Sequence, residues 1–322
     1  MTASKIAVSA LAGLLAISPA LAQEKYPSRP IEMIVTFGPG GGADLMGRQT
    51  ARLAEPVLGV AIPVANISGA SGNAGLTRLL TNPADGYSVA TLIALSVSSW
   101  AAGLGTAKPS DFQVVAMMQN SPSMLFVPKN SPYKTAREFL DAAKANPGKL
   151  RVATSGLGTQ DDITVRYLAS QGFQAKNVPF AKPAERYAST VGGHTDALYE
   201  EPGDVAQFIK SGDLRPLMVF DAKRHESFPD VTASMELGLQ ISDLPNFRTI
   251  AVPAKTPKEI VDRLAAAMNQ VLDKPEWQKF CRETYTCTEK MTPDQAQQVV
   301  VKFHDTVKGY LDRFGAEQQS QK

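Results

Sequence analysis

The stretch Ile31 to Asp44, IEMIVTFGPGGGAD, constrains the fold more than any other. Ile31, Met33, Ile34, Val35 and Phe37 make a short apolar run with β-branched members, bounded by glycine and proline, the pattern of a buried strand. Gly38, Pro39, Gly40, Gly41, Gly42 and Ala43 then lead into Leu45, Gln49, Leu53 and Val57 at helical spacing. Asp44 sits where an acidic side chain complements a helix N-terminus. This order of strand, glycine turn and helix makes backbone N–H groups converge into a concavity suited to a carboxylate or a phosphate. It returns at Leu150 to Ser155, where a strand pattern meets Gly156-Leu157-Gly158-Thr159 and a helix carrying Ile163, Val165, Tyr167 and Leu168. Two such turns, one per lobe, are expected to face each other across a cleft and grip one small molecule between their amides.

The remaining chain alternates the two periodicities, which argues for parallel α/β layers. Strands are expected at Ile62 to Asn66, Tyr87 to Leu95, Val114 to Gln119, Met124 to Pro128, Asp196 to Tyr199, Leu214 to Phe220 and Arg248 to Pro253. Asn120-Ser121-Pro122 separates two extended runs and is a candidate hinge, and Leu214 to Phe220 is expected to return to the first lobe. Capping boxes at Thr135 to Glu138, Thr256 to Glu259 and Thr292 to Gln295 open three helices. The uncharged stretch Tyr87 to Thr106 is broken by serines and glycines, so it reads as a buried strand followed by a loop rather than a membrane span.

Composition and the N-terminus limit the function. With 33 basic against 31 acidic residues the net charge is +2, and no nucleic-acid surface is expected. Lys5, an apolar core from Ile6 to Ile17 and the small-residue signal Ala20-Leu21-Ala22 read as a cleaved secretory signal peptide, with the mature chain starting near Gln23. Cys281 and Cys287 suit an oxidising compartment, as a disulfide closing a short loop or as two reduced thiols, and CRETYTC lacks metal-ligand spacing. GPGGG is not followed by Gly-Lys-Ser/Thr, and Val64-Ala65-Asn66 lacks a ribose-binding acid, so no nucleotide cofactor is expected. Ser131-Pro132-Tyr133-Lys134 matches S-x-x-K only by count, at a helix entrance. His194, His225 and His304 lie far apart, and no G-x-S-x-G elbow supplies a nucleophile. No catalytic residue, cofactor or metal site is expected.

YPSRPIEMIVTFGPGGGAD at 26–44, SGASGNAG at 68–75, PADGYSVAT at 83–91, TSGLGT at 154–159, SGDLRPLMVFDAKRHESFPDV at 211–231 and VPAKTPKEIVDRLAAAMNQVL at 252–272 follow one another across the mature chain. In that order and spacing they resemble the Bug family of periplasmic solute-binding receptors of tripartite tricarboxylate transporters. The resemblance implies a two-lobed, flytrap-like α/β architecture, each lobe a mainly parallel sheet flanked by helices and joined by hinge strands. After the signal peptide (1–22), residues 23–120 are expected to begin the first lobe, 121–222 to form the second, and 223–322 to return to the first and supply C-terminal helices. It further implies a periplasmic monomer that binds a small organic acid or amino acid and delivers it to inner-membrane permease subunits. A receptor presenting its ligand to a membrane sensor kinase is the alternative, and a hydrolase or other enzyme is the more distant one. In the family the ligand carboxylate is held by backbone amides of both turns. Carried over, these are Phe37, Gly38, Gly40, Gly41, Gly42, Ala43 and Asp44, and Ser155, Gly156, Gly158 and Thr159. The Ala94 to Ser99 loop, with Ser96 and Ser98 as hydroxyl donors, and Tyr199 with Glu200 complete the implied site.

One departure bears on the ligand. Many members carry histidine four residues after the second turn's last glycine, where this chain has Asp162, preceded by Asp161. Added carboxylates in an anion pocket cost roughly 1 kcal/mol or more per close pair. Two readings follow. Either both aspartates favour the helix N-terminus and face solvent, or Asp162, with Glu200, receives a cationic or hydrogen-bond-donating group such as an ammonium or a metal-complexed acid.

Overall fold

The computed structural model describes residues 26–286 and 289–320, with the backbone alone over 315–320. The segment expected to be a signal peptide and Cys287, with the expectation of a bridge to Cys281, lie outside the described residues. The strands are β1 (Glu32–Val35), β2 (Val64–Asn66), β3 (Ser88–Ile93), β4 (Phe112–Ser121), β5 (Met124–Pro128), β6 (Arg151–Thr154), β7 (Lys176–Pro179), β8 (Ala197–Glu200), β9 (Leu214–Val219), β10 (Thr232–Ala233) and β11 (Asn246–Pro253). The helices are α1 (Gly42–Leu58), α2 (Asn73–Thr81), α3 (Ala94–Ala101), α4 (Ala136–Ala145), α5 (Gln160–Ser170), α6 (Pro183–Val191), α7 (Ala206–Ser211), α8 (Lys258–Asp273), α9 (Pro275–Glu283) and α10 (Pro293–Ser320).

The strands form two sheets, ordered β2-β1-β3-β11-β4 and, read from the matching edge, β7-β6-β8-β5-β9-β10. In the first, β1 lies parallel to β2 and β3, and β11 runs against β3 and β4. In the second, β6 lies parallel to β7 and β8, and β5 runs against β8 and β9. Each sheet is thus mainly parallel with one reversed strand, and each reversed strand enters from the other lobe. The chain crosses outward between β4 and β5 at Pro122-Ser123 and comes back with β11. Helix α10 packs on α3 and β4 of one lobe and α5 of the other. Its buried Phe303 meets Phe247 edge-on at 5.1 Å, and its Tyr310 meets Tyr167 at 5.9 Å. Each such buried side chain contributes roughly 1.5–3 kcal/mol.

Four local expectations change. Residues Ala94–Ala101 form α3 rather than a loop: they are almost wholly buried against β11 and α10, and Ser99 turns its hydroxyl back onto the Ser96 carbonyl (2.7 Å), so the serines do not break the helix. In α1 the buried stripe is Ala43, Met46, Thr50, Leu53, Ala54 and Leu58, one residue round from the expected face, and Leu45 is 40% exposed. Strand β9 stays in the second sheet beside β5, because its apolar residues are covered there. The capping boxes at Thr135 and Thr292 form, but Pro257 is the N-cap of α8 and the Thr256 hydroxyl is buried without a partner.

Candidate functional site

Both glycine turns are built by the same device. In the first lobe, Asp44 in the first turn of α1 reaches back to accept the Gly40 N–H at 3.0 Å. Its other oxygen accepts Arg48 at 2.9 Å and the side-chain amide of Asn66, on β2, at 2.9 Å. In the second, Asp162 in the first turn of α5 accepts the Gly158 N–H at 2.9 Å, Asn177 of β7 at 2.7 Å, and Arg166 at 3.0 Å. The glycine four residues before, the arginine four residues after and the asparagine on the neighbouring strand match in the two lobes. Gly40 (φ +80°) and Gly158 (φ +70°) hold left-handed conformations that side chains other than glycine rarely adopt. Hydrogen bonds from Arg48, Gly40 and Asn66 outweigh the desolvation of Asp44 and hold its carboxyl below the usual range. Asp44→Ala strands the Gly40 N–H, and Asp162→Ala strands the Gly158 N–H and the Asn177 amide. Each is expected to cost roughly 1–3 kcal/mol in a denaturant titration.

The expectation that Asp161 and Asp162 face solvent is corrected: they are 3% and 2% exposed. Both carboxylates are drawn inward by donors of their own lobe. Asp161 takes the Ser155 N–H at 2.5 Å and the Ser155 hydroxyl at 2.6 Å on one oxygen, and its other oxygen is buried without a partner. Thr159 adds a hydroxyl bond to the Gly156 carbonyl at 2.7 Å. Ser96 and Ser98 lie on α3, fully buried; Ser96 bonds the Ser71 carbonyl at 2.9 Å, and the Ser98 hydroxyl has no partner. Tyr199 and Glu200 end β8, both buried. Tyr199 stacks on Phe220 and shares a 3.4 Å hydroxyl contact with Thr164, while Glu200 pairs with Arg186 of α6.

The lobes meet over these turns. A Cβ on Gly158 would lie 2.5 Å from Leu104 and 3.0 Å from Ala102, just past α3. One on Gly41 would lie 3.1 Å from Pro183 of α6, and one on Gly42 would collide with Asp204 and the Arg248 guanidinium. The Gly42 N–H, at the start of α1, donates to Asp204 at 3.1 Å, so a carboxylate from the second lobe already sits on the first lobe's helix N-terminus. Arg248 of β11 joins Asp204 (2.8 Å), Glu201 (3.3 Å) and Gln119 of β4 (3.1 Å). Glu201 also accepts the Ser123 hydroxyl at 2.7 Å, and Ser123 lies 3.3 Å from the Gln160 side-chain nitrogen. The seam therefore runs from α1 through β11 and the crossing segment to α5.

Its acidic groups outnumber its basic ones. Asp161, Glu200, Glu201 and Asp204 stand against Arg186 and Arg248, four carboxyl groups to two guanidinium groups, with each Asp204 and Arg248 side chain no more than 8% exposed. Burial pushes the Glu201 carboxyl well up, reinforced by Glu200 beside it. Burial also raises Asp204 and Asp161 against the pull of Arg248 and Arg186, respectively. Glu200 is the exception, since Arg186 overcomes its desolvation and holds it low. Oxygens of Glu200, Glu201 and Asp204 come within 4.8 Å of one another, a spacing a metal ion accepts, yet two arginines already occupy that trio.

Sequence reasoning missed Arg186, Glu201, Asp204 and Arg248. The available signals were an arginine inside the otherwise uncharged strand NFRTIAVP and the acids of YEEPGD at a strand end.

The model of the tripartite tricarboxylate transporter family receptor matches residues 46–310. A Cupriavidus necator protein named for its place in the gbd 5' region is 31% identical over 305 residues, 92% of each chain. Protein BugT of Bordetella pertussis is 30% identical over 253 residues, covering 76% of this chain and 77% of that one. The solved structure of MatC from Rhodopseudomonas palustris with bound malate superposes with a TM-score of 0.81 at 22% identity, over 88% of this chain and 99% of that one, and shows the same two-lobed fold. Among the described residues no helix is long and apolar enough to cross a membrane. The chain belongs to the tripartite tricarboxylate transporter receptor family, the family of the Bug proteins, whose members are receptors and not enzymes.

Proposed function

We propose that the two lobes close on a small organic acid whose carboxylate is held by the backbone N–H groups of Phe37 to Asp44 and Ser155 to Thr159, and that the loaded receptor delivers it to inner-membrane permease subunits. The carrying observation is the matched pair of glycine turns, each opening a helix of its lobe toward the same seam. Asp204 on the Gly42 N–H supports the reading, because that helix end already accepts a carboxylate. Asp44 and Asp162 act on the ligand through the turns they brace. The malate in the MatC structure is an acid of the size such a cleft takes.

A thermal-shift screen of mono-, di- and tricarboxylates and amino acids tests this. A ligand at a hundred times its Kd adds about 2.7 kcal/mol, a rise in Tm on the order of 4 °C for a chain of this size. No shift with any acid would sink the carboxylate reading. Loss of growth on the bound acid after gene deletion would support delivery. Normal growth, with a transcriptional response to the acid lost, would favour presentation to a sensor kinase.

A further inference from the structure

Resting on the proposed binding of a carboxylate at the two turns, we infer that the ligand also carries a cationic nitrogen, received by the unpaired oxygen of Asp161. Three observations converge on this.

The first is the excess of acidic groups over arginines along the seam. An unaminated dicarboxylate would add two negative charges to a buried cluster in which carboxyl groups already outnumber arginines by four to two. An amino acid brings a positive charge to the same place.

The second is a pair of orphaned acceptors. Asp161 and Gln160 are 3% and 0% exposed, and one oxygen on each has no hydrogen-bond partner. Ser123 fixes the Gln160 amide by taking its nitrogen, which leaves the oxygen as the acceptor that needs a donor. Both residues stand in the first turn of α5, immediately after the second glycine turn. A carboxylate offers these oxygens no donor, whereas an ammonium offers three.

The third is that the other acids are taken. Asp162 spends its oxygens on Gly158, Asn177 and Arg166. Glu200 holds Arg186, and Glu201 and Asp204 hold Arg248. The same pairing argues against a metal-complexed acid, since a divalent ion at the Glu200, Glu201 and Asp204 trio would have to sit against two guanidinium groups. The demand for a cation therefore falls on Asp161, where the chain carries a carboxylate with a free oxygen and only a 2.5 Å N–H and a 2.6 Å hydroxyl on the other.

The test is isothermal titration of the mature protein with the twenty amino acids and with unaminated mono-, di- and tricarboxylates, including the matched pairs aspartate with succinate and glutamate with glutarate, and N-acetylaspartate as a form without the cation. The expected result is an aminated acid bound at least tenfold tighter than its unaminated or acetylated partner. Asp161→Asn should reduce that preference at least tenfold. Gln160→Met, which leaves the Ser155 contacts of Asp161 alone, should reduce the preference in the same direction and guards against a folding defect in the first variant. Unaminated acids binding as tightly as aminated ones would overturn the inference and leave the carboxylate reading standing. So would a preference unchanged in both variants, or tight binding that appears only with a divalent cation and vanishes in EDTA. Binding of no acid at all would remove both readings.

Discussion

Arg248→Ala is expected to destabilise the closed protein by roughly 3–5 kcal/mol at neutral pH, the range seen when one partner of a buried ion pair is removed. The reason is geometric. Arg248 is 4% exposed and is the guanidinium that reaches both Glu201 and Asp204, and its loss leaves two buried carboxylates with no cation in contact. Part of the cost can be relieved by parting the lobes and wetting the seam, so the variant should also show a larger radius of gyration in small-angle scattering. The pH dependence identifies the cause. Glu201 and Asp204 are already raised by burial, and removing Arg248 raises them further. A carboxyl whose folded pKa lies above its unfolded one favours the folded state when protonated, and that stability is lost as pH rises through the folded value. The deficit of Arg248→Ala against wild type should therefore shrink as pH falls from neutrality into the carboxylate range. A deficit independent of pH would mean that lost packing, not stranded charge, is responsible.

Gly42→Leu is expected to weaken acid binding at least a hundredfold while each lobe stays folded. Its backbone is ordinary for the first residue of a helix, so the substitution carries no conformational strain of its own. The atoms its side chain would meet are the Asp204 carboxylate from the opposite lobe and the far end of Arg248, and both must move before the lobes can close. Calorimetry of the acid found in the thermal-shift screen, beside a melt showing an unchanged cooperative transition, checks both halves. Gly158 is a less clean test: at φ +70° a larger residue strains the turn as well as striking Leu104. Gly41 is milder still, with Pro183 at 3.1 Å. Retained affinity in Gly42→Leu would mean that binding does not need this approach of the lobes.

The turns themselves were legible because their signals are local. A short, continuously buried strand, glycines at left-handed positions and an acid three residues into a helix all act within a few residues of one another, so IEMIVTFGPGGGAD and TSGLGTQDD could be read without knowing what surrounds them. The capping boxes at Thr135 and Thr292 were legible for the same reason, and the one at Thr256 failed where Pro257 took over as the N-cap. The α3 segment was misread because a helix packed on all sides carries no amphipathic period to reveal it.

Local chemistry, written within a few residues, settled that this chain would carry two strand–turn–helix cradles and belong to a family of solute receptors. It could not settle what faces those cradles. Gly42, Gln119, Glu201, Asp204 and Arg248 meet only because the chain crosses between two sheets at Pro122-Ser123 and returns as β11. Burial then decided the chemistry of each acid: Asp162, with three donors from its own lobe, became part of a turn, and Asp161, one residue earlier, kept an oxygen with no partner among the described residues. Neighbouring aspartates in a sequence are the same residue twice, and desolvation and the donors within 3 Å, which only packing supplies, make them different.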